Sequence, residues 1–169
     1  MIMCCDYTHS KKEIEPLLPR MFSIISANMH EIAPTGNCFE EDRASWTQAM
    51  HDELRNPEKH WIFAFSGETL AGYTLYRIHD DTLHMDEIQI DKAYQGDGRT
   101  FFMLMGNVLR DANESHVRTL HSYVNRQNAK SQAIVQAMGL RAVKETPRGM
   151  IYQGRLRDAL DWFAMRRKL

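Results

Sequence analysis

Gln95-Gly96-Asp97-Gly98-Arg99-Thr100 is the stretch whose residue types and spacing can do chemistry; the apolar run Phe101-Phe102-Met103-Leu104-Met105 follows it. Two glycines relieve steric limits on a tight turn. Phe101, Leu104, Met105 and Val108 recur at helical spacing, which predicts a packed helix after the turn. Backbone N–H groups from Gly96 to Thr100 then point into the space before that helix, where unpaired donors and the positive end of the dipole bind phosphate. Many strand-to-helix turns carry two glycines and bind nothing, so the anion site stands beside a purely structural reading. A P-loop is excluded because no Gly-Lys-Ser/Thr follows. A dinucleotide fingerprint is excluded by Phe101 at its third glycine, and a kinase by the absence of companion motifs.

The carboxylates Asp86 and Glu87 lie just upstream. Leu83 and Met85 share one parity and Ile88 and Ile90 the other, so the period-two pattern shifts phase across them. One extra residue in a β-bulge produces such a shift. The eight histidines, among them His79, His84 and His121, show no HExxH or comparable spacing, and no metal site is expected.

The elements that must position these residues read as follows. Met3 to Thr8 is a strand, and Ser10 is placed to cap a helix through Glu13, Leu17, Met21, Ile24 and Ile25, with Pro16 and Pro19 in its first turns. The Ala33-Pro34-Thr35-Gly36-Asn37 cluster separates it from a second helix, Glu40 to Leu54, which Asn56-Pro57 ends. Trp61 to Phe65 and Ala71 to Ile78 form a hairpin across Ser66-Gly67-Glu68-Thr69, and Asp80-Asp81 turns the chain into the phase-shifted strand. The helix behind the glycine turn ends near Ala112, and Val117 to Val124 is the next strand. Asn128 caps a helix closed by Gly139. Leu140 to Lys144 and Met150 to Leu156 form a closing hairpin, and a last helix runs from Asp158 to Arg167.

A chain of 169 residues suits one domain, 1–169, with a sizeable core, and a formal charge of −1 argues against a nucleic-acid partner. No apolar run approaches the roughly 20 residues that span a bilayer, and no signal-peptide pattern is seen. Cys4, Cys5 and Cys38 cannot all pair with one another, so the expected setting is a reducing cytoplasm without a membrane partner.

Gln95 to Thr100 resembles the acetyl-coenzyme A motif of the GNAT superfamily of N-acetyltransferases, Gln/Arg-x-x-Gly-x-Gly/Ala, with Thr100 departing at the last position. Val124-Asn125 through Asn128, a helix, then Met138-Gly139-Leu140 is similar to the family's second pattern, Val-Asn-x-x-Asn … Tyr-x-x-x-Gly-Phe. The resemblance spans roughly Trp61 to Leu156. It implies an α/β (α+β) fold: a mixed, mostly antiparallel central sheet with a bulged, splayed central strand and helices on both faces.

The resemblance further implies that Ile88, Gln89 and Ile90 pair with the pantetheine arm, that Gln95, Gly96, Asp97, Gly98, Arg99 and Thr100 hold the pyrophosphate, and that Asn128 reaches the pantetheine. Asn128 reads equally as an ordinary N-cap. The implied reaction moves an acetyl group from acetyl-CoA, a cosubstrate, to a primary amine of a small molecule or peptide in a ternary complex. An alkylamine with a pKa of about 10.4 is neutral in only on the order of one molecule in a thousand near pH 7, so a base helps. Glu87 is the candidate, with Asp86 second, against a strand carboxylate without a role. The Tyr that many members use as an acid is Val135 here, and Leu140 replaces the Phe. A catalytically degenerate CoA-binding sensor and a protein N-acetyltransferase are the alternatives, and a homodimer is one assembly open to the chain.

Overall fold

Where Ser10 was expected to cap a long helix, two prolines decide otherwise. In the computed structural model, which describes residues 1–166, Ser10 makes no side-chain cap hydrogen bond, and the chain takes two short 3-10 turns, Lys11–Glu13 and Glu15–Leu17. The first α-helix, α1, begins only at Leu18 and ends at Met29, with Pro19 in its opening turn. Proline lacks an N–H and fixes φ, so it is tolerated where a helix starts and not inside one. The start from Ser10 is therefore corrected to Leu18.

The remaining elements fall within a few residues of expectation. β1 is Ile2–Asp6, α2 is Phe39–Arg55, β2 is Lys59–Ser66, β3 is Thr69–His79 and β4 is Thr82–Ile90. α3 is Arg99–Glu114, β5 is Thr119–Asn125, α4 is Ala129–Ala137, β6 is Arg141–Glu145, β7 is Gly149–Arg155 and α5 is Leu156–Arg166. The expected end of the last helix at Arg167 lies outside the described residues.

One seven-stranded sheet has the order β1-β2-β3-β4-β5-β7-β6. β1–β2, β5–β7 and β6–β7 pair antiparallel, and β4–β5 pair parallel. Neighbouring strands joined by two residues, as β2–β3 across Gly67-Glu68 and β3–β4 across Asp80-Asp81, must also run antiparallel. The sheet is thus mixed and mostly antiparallel. The β4–β5 register runs from Thr82↔Thr119 to Met85↔Ser122, stopping immediately before Asp86 and Glu87, while β4 continues to Ile90 and β5 to Asn125.

The chain divides into two compact units. The first comprises Met1–Leu75 and Ile88–Leu104, and its core gathers Ile14, Leu18, Met21, Ile24, Met50, Trp61, Phe63, Leu70, Tyr73 and Leu75. Trp61 and Phe63 are wholly buried with rings stacked 6.4 Å apart, and full burial of such a side chain contributes about 1.5–3 kcal/mol. The second comprises Tyr76–Glu87 and Met105 onward, with Leu83, Val108, Leu109, Leu120, Tyr152 and Leu156 among its buried residues. Tyr76 is buried there and donates to Asp111 Oδ2 at 2.7 Å.

Candidate active site

The glycine turn and the end of β4 belong to the first unit. Gly98 has φ +68°, a left-handed conformation that glycine adopts without strain, and its carbonyl accepts from Phe102 N–H at 3.0 Å to start α3. Asp97 Oδ1 accepts from Arg99 N–H at 2.9 Å. Among the described residues the amides of Gly96, Asp97, Thr100 and Phe101 have no protein acceptor. Four donors at the start of a sixteen-residue helix, with the dipole aligned behind them, are suited to an anion. A Cβ built on Gly96 meets nothing within 4 Å, so the turn has open space at that residue. Thr100 is buried, and Arg99 is exposed beside Asp97.

The edge of β4 is held from both sides. Asp91 N–H donates to Ala71 O of β3 at 2.9 Å, so the peptide between Ile90 and Asp91 turns its carbonyl to the opposite edge. Gln89 O lies 2.7 Å from where a Cβ on Gly72 would stand, so it faces β3 and glycine is required there. Backbone groups alternate along a strand, which leaves those of Ile88 and Ile90 on the edge away from β3. Ile90 O already accepts from Asn28 Nδ2 and Gln95 Nε2, both at 2.9 Å, and a carbonyl has two lone pairs. Of the three expected ladder residues, Ile88 and the N–H of Ile90 lie on the outward edge, while Gln89 O is turned inward. The Gln95 side chain ties the turn to β4 and α1.

Glu87, Asp86 and Asn128 belong to the second unit. Glu87 is half-buried at the last position of the unit's β4 segment, two residues beyond the end of the β4–β5 register. Asp86 Oδ1 lies 3.5 Å from Arg77 Nε. His84 stands opposite His121 in the parallel register with ring centroids 4.9 Å apart. Partial burial first, then the neighbouring His121 and Arg77, holds the His84 pKa below its ordinary value, with Asp86 opposing. Asn128 caps α4, its Oδ1 accepting from Ser131 N–H at 3.1 Å. Val135 is half-buried, Tyr152 is buried and Tyr123 is 47% exposed. Among the described residues no group of three or more His, Cys, Asp or Glu is placed to hold a metal.

Sequence reasoning missed Asn28, the Arg20–Asp91 ion pair, the close approach at Gly72 and the His84–His121 pairing. A signal existed for Asn28 alone. It stands on the helical stripe of Met21, Ile24 and Ile25, where an apolar residue was due.

This order of strands and helices matches that of solved GNAT-family structures. The fold is similar to that of PaiA N-acetyltransferase from Thermoplasma acidophilum in complex with coenzyme A, with TM-score 0.73, 16% identity and coverage of 92% of this chain and 99% of that one. It is also similar to an acetyltransferase from Thermus thermophilus, with TM-score 0.66, 21% identity and coverage of 92% and 97%. An acetyltransferase from Streptococcus agalactiae gives TM-score 0.69 at 14% identity, with coverage of 91% and 98%. No curated protein sequence matches this chain. Residues 21–140 match the acetyltransferase (GNAT) family model, and the chain belongs to that family.

Proposed function

We propose that the chain, acting as one GNAT domain, transfers an acetyl group from acetyl-CoA to a primary amine of a small molecule or peptide by direct attack in a ternary complex. The observation that carries this reading is the set of four amides at Gly96, Asp97, Thr100 and Phe101 that have no acceptor among the described residues. They fit a pyrophosphate, and the outward backbone of Ile88 fits a pantetheine amide. The PaiA structure, which holds coenzyme A, is similar over 92% of this chain and supports the cofactor.

In the proposed step the amine nitrogen attacks the thioester carbonyl carbon. The tetrahedral intermediate collapses as the C–S bond breaks and coenzyme A leaves as thiolate. Glu87 takes the proton lost by the attacking nitrogen, directly or through water, and the thiolate, whose conjugate acid has a pKa of about 8.5, leaves without an obligatory acid. This order of events suits a chain with Val135 at the family's Tyr position. Asn128 both caps α4 and, in this reading, donates its amide to the pantetheine. Among the described residues no helix is long and apolar enough to cross a membrane, and Cys4, Cys5 and Cys38 are not joined in disulfides. Cysteines outside disulfides fit a reducing compartment, and we place the protein in the cytoplasm.

The test is titration calorimetry of coenzyme A against wild type and Gly96→Val. A substituent at Gly96 has open space in the free protein, so the variant is expected to keep its fold and lose binding. Equal affinity in the two proteins would remove the turn from the site. The second reading, a CoA-binding domain without turnover, is favoured by Val135 together with the burial of Tyr152. Release of free thiol from acetyl-CoA with a panel of amines, amino acids and polyamines separates the two.

A further inference from the structure

We infer that Asn28 of α1 is a positioning residue for the cofactor turn, closing the outward edge of β4 at Ile90 and fixing Gln95 against it; this rests on the acetyl-CoA reading above. The amide of Asn28 spends both of its N–H donors and one lone pair of its oxygen on this one segment. Nδ2 donates to Gln89 Oε1 and to Ile90 O, both at 2.9 Å, and Oδ1 accepts from Gln95 Nε2 at 3.1 Å. The reverse amide orientation would set Oδ1 against two oxygens, so the network itself fixes it.

The physical need for these bonds is local. β3 holds one side of the β4 terminus through Asp91 N–H and the bare backbone of Gly72. On the other edge Ile90 O points where a strand partner would be, and a half-buried carbonyl left without a donor is costly. Asn28 and Gln95 supply that partner. Their donors also stop the backbone ladder at Ile90, so a pantetheine arm pairing with Ile88 would meet a fixed end before the turn begins. Arg20 of α1 pairs with Asp91 one residue further on, giving α1 a second hold on the same terminus. Five residues separate Ile90 from Gly96, and the Gln95 side chain spans most of that gap by bonding back to Ile90 O. Loosening Asn28 therefore takes one of two donors from the carbonyl and one of two holds from Gln95, and slackens the path of the turn.

Asn28→Asp is the discriminating variant, since it keeps shape and the acceptor for Gln95 while placing an oxygen against Ile90 O. Calorimetry with coenzyme A on wild type, Asn28→Asp, Asn28→Ala and Arg20→Ala is joined to amide hydrogen exchange on the free proteins. Both Asn28 variants are expected to bind coenzyme A roughly 10-fold more weakly, as for the loss of a half-buried donor. Exchange should rise across Gln89 to Gly98 and stay unchanged in β2 and β3, a local pattern that general destabilisation would not give. Arg20→Ala, which removes a pair with a half-exposed arginine, is expected to stay within about threefold. Where an Asn28 variant does not fold, Gln95→Ala removes the other donor to the same carbonyl and is expected to weaken binding similarly. Wild type that binds while the folded variants bind within threefold of it overturns the inference alone. Wild type that does not bind coenzyme A overturns the cofactor reading, and this inference with it.

Discussion

Asp86 and Glu87 are neighbouring carboxylates on β4. Asp86 Oδ1 lies 3.5 Å from Arg77 Nε, an ion pair that engages this carboxylate. Glu87 is half-buried two residues beyond the end of the β4–β5 register, and we propose it as the proton acceptor. Glu87→Gln should leave coenzyme A affinity nearly unchanged and lower turnover by roughly 10²- to 10⁴-fold, the usual range for general acid–base catalysis. The deficit should shrink at high pH, where more of the amine is already neutral. A pH–rate profile beside wild type reads this, and equal rates throughout would make Glu87 a structural carboxylate. At the acid position, Val135→Tyr is expected to raise turnover if proton delivery to the thiolate limits the rate. A folded variant with unchanged turnover would show that it does not.

At the scale of elements, α4 allows two roles of one residue to be separated. Asn128 caps the helix through Oδ1, and removing such a cap costs about 0.5–2 kcal/mol. Asn128→Ala should therefore lower the urea midpoint and weaken coenzyme A binding. Asn128→Asp keeps a good cap while losing the amide donor, so it should restore stability but not affinity. Full recovery of both would assign Asn128 to the cap alone. The α4 boundaries were legible because cap and Gly139, with φ +90°, are local signals. The start of α1 was not, because Ser10 carries the type of a cap while Pro16 and Pro19, several residues on, decide where helical hydrogen bonds can begin. Hairpins were read closely, since two-residue turns leave little freedom in where their strands begin.

At the scale of the molecule, His84 ties stability to pH. Its folded pKa is lowered from the ordinary 6.5, chiefly by burial and then by His121 and Arg77, against Asp86, with His79 adding a smaller lowering. The neutral imidazole is thus the form the fold prefers. The stability it contributes is fully present above about pH 6.5 and is lost as pH falls from there through the lower folded value. Urea unfolding should give a lower free energy at about pH 5.5 than at pH 7.5, and His84→Gln should flatten that difference. An unchanged slope would place the acid sensitivity elsewhere. The sequence by itself determined the order of elements, the family motif at Gln95 to Thr100 and the carboxylates at the phase break, because periodicity, capping and turn chemistry act over a few neighbouring residues. Only the tertiary structure decided that Asn28, sixty-two positions from Ile90, supplies its carbonyl with a donor, and that His84 faces His121. It also decided that Gln89 turns its carbonyl to Gly72. Such contacts join segments remote in sequence, and their geometry is set by strand register and helix placement, to which local residue patterns carry no distance information.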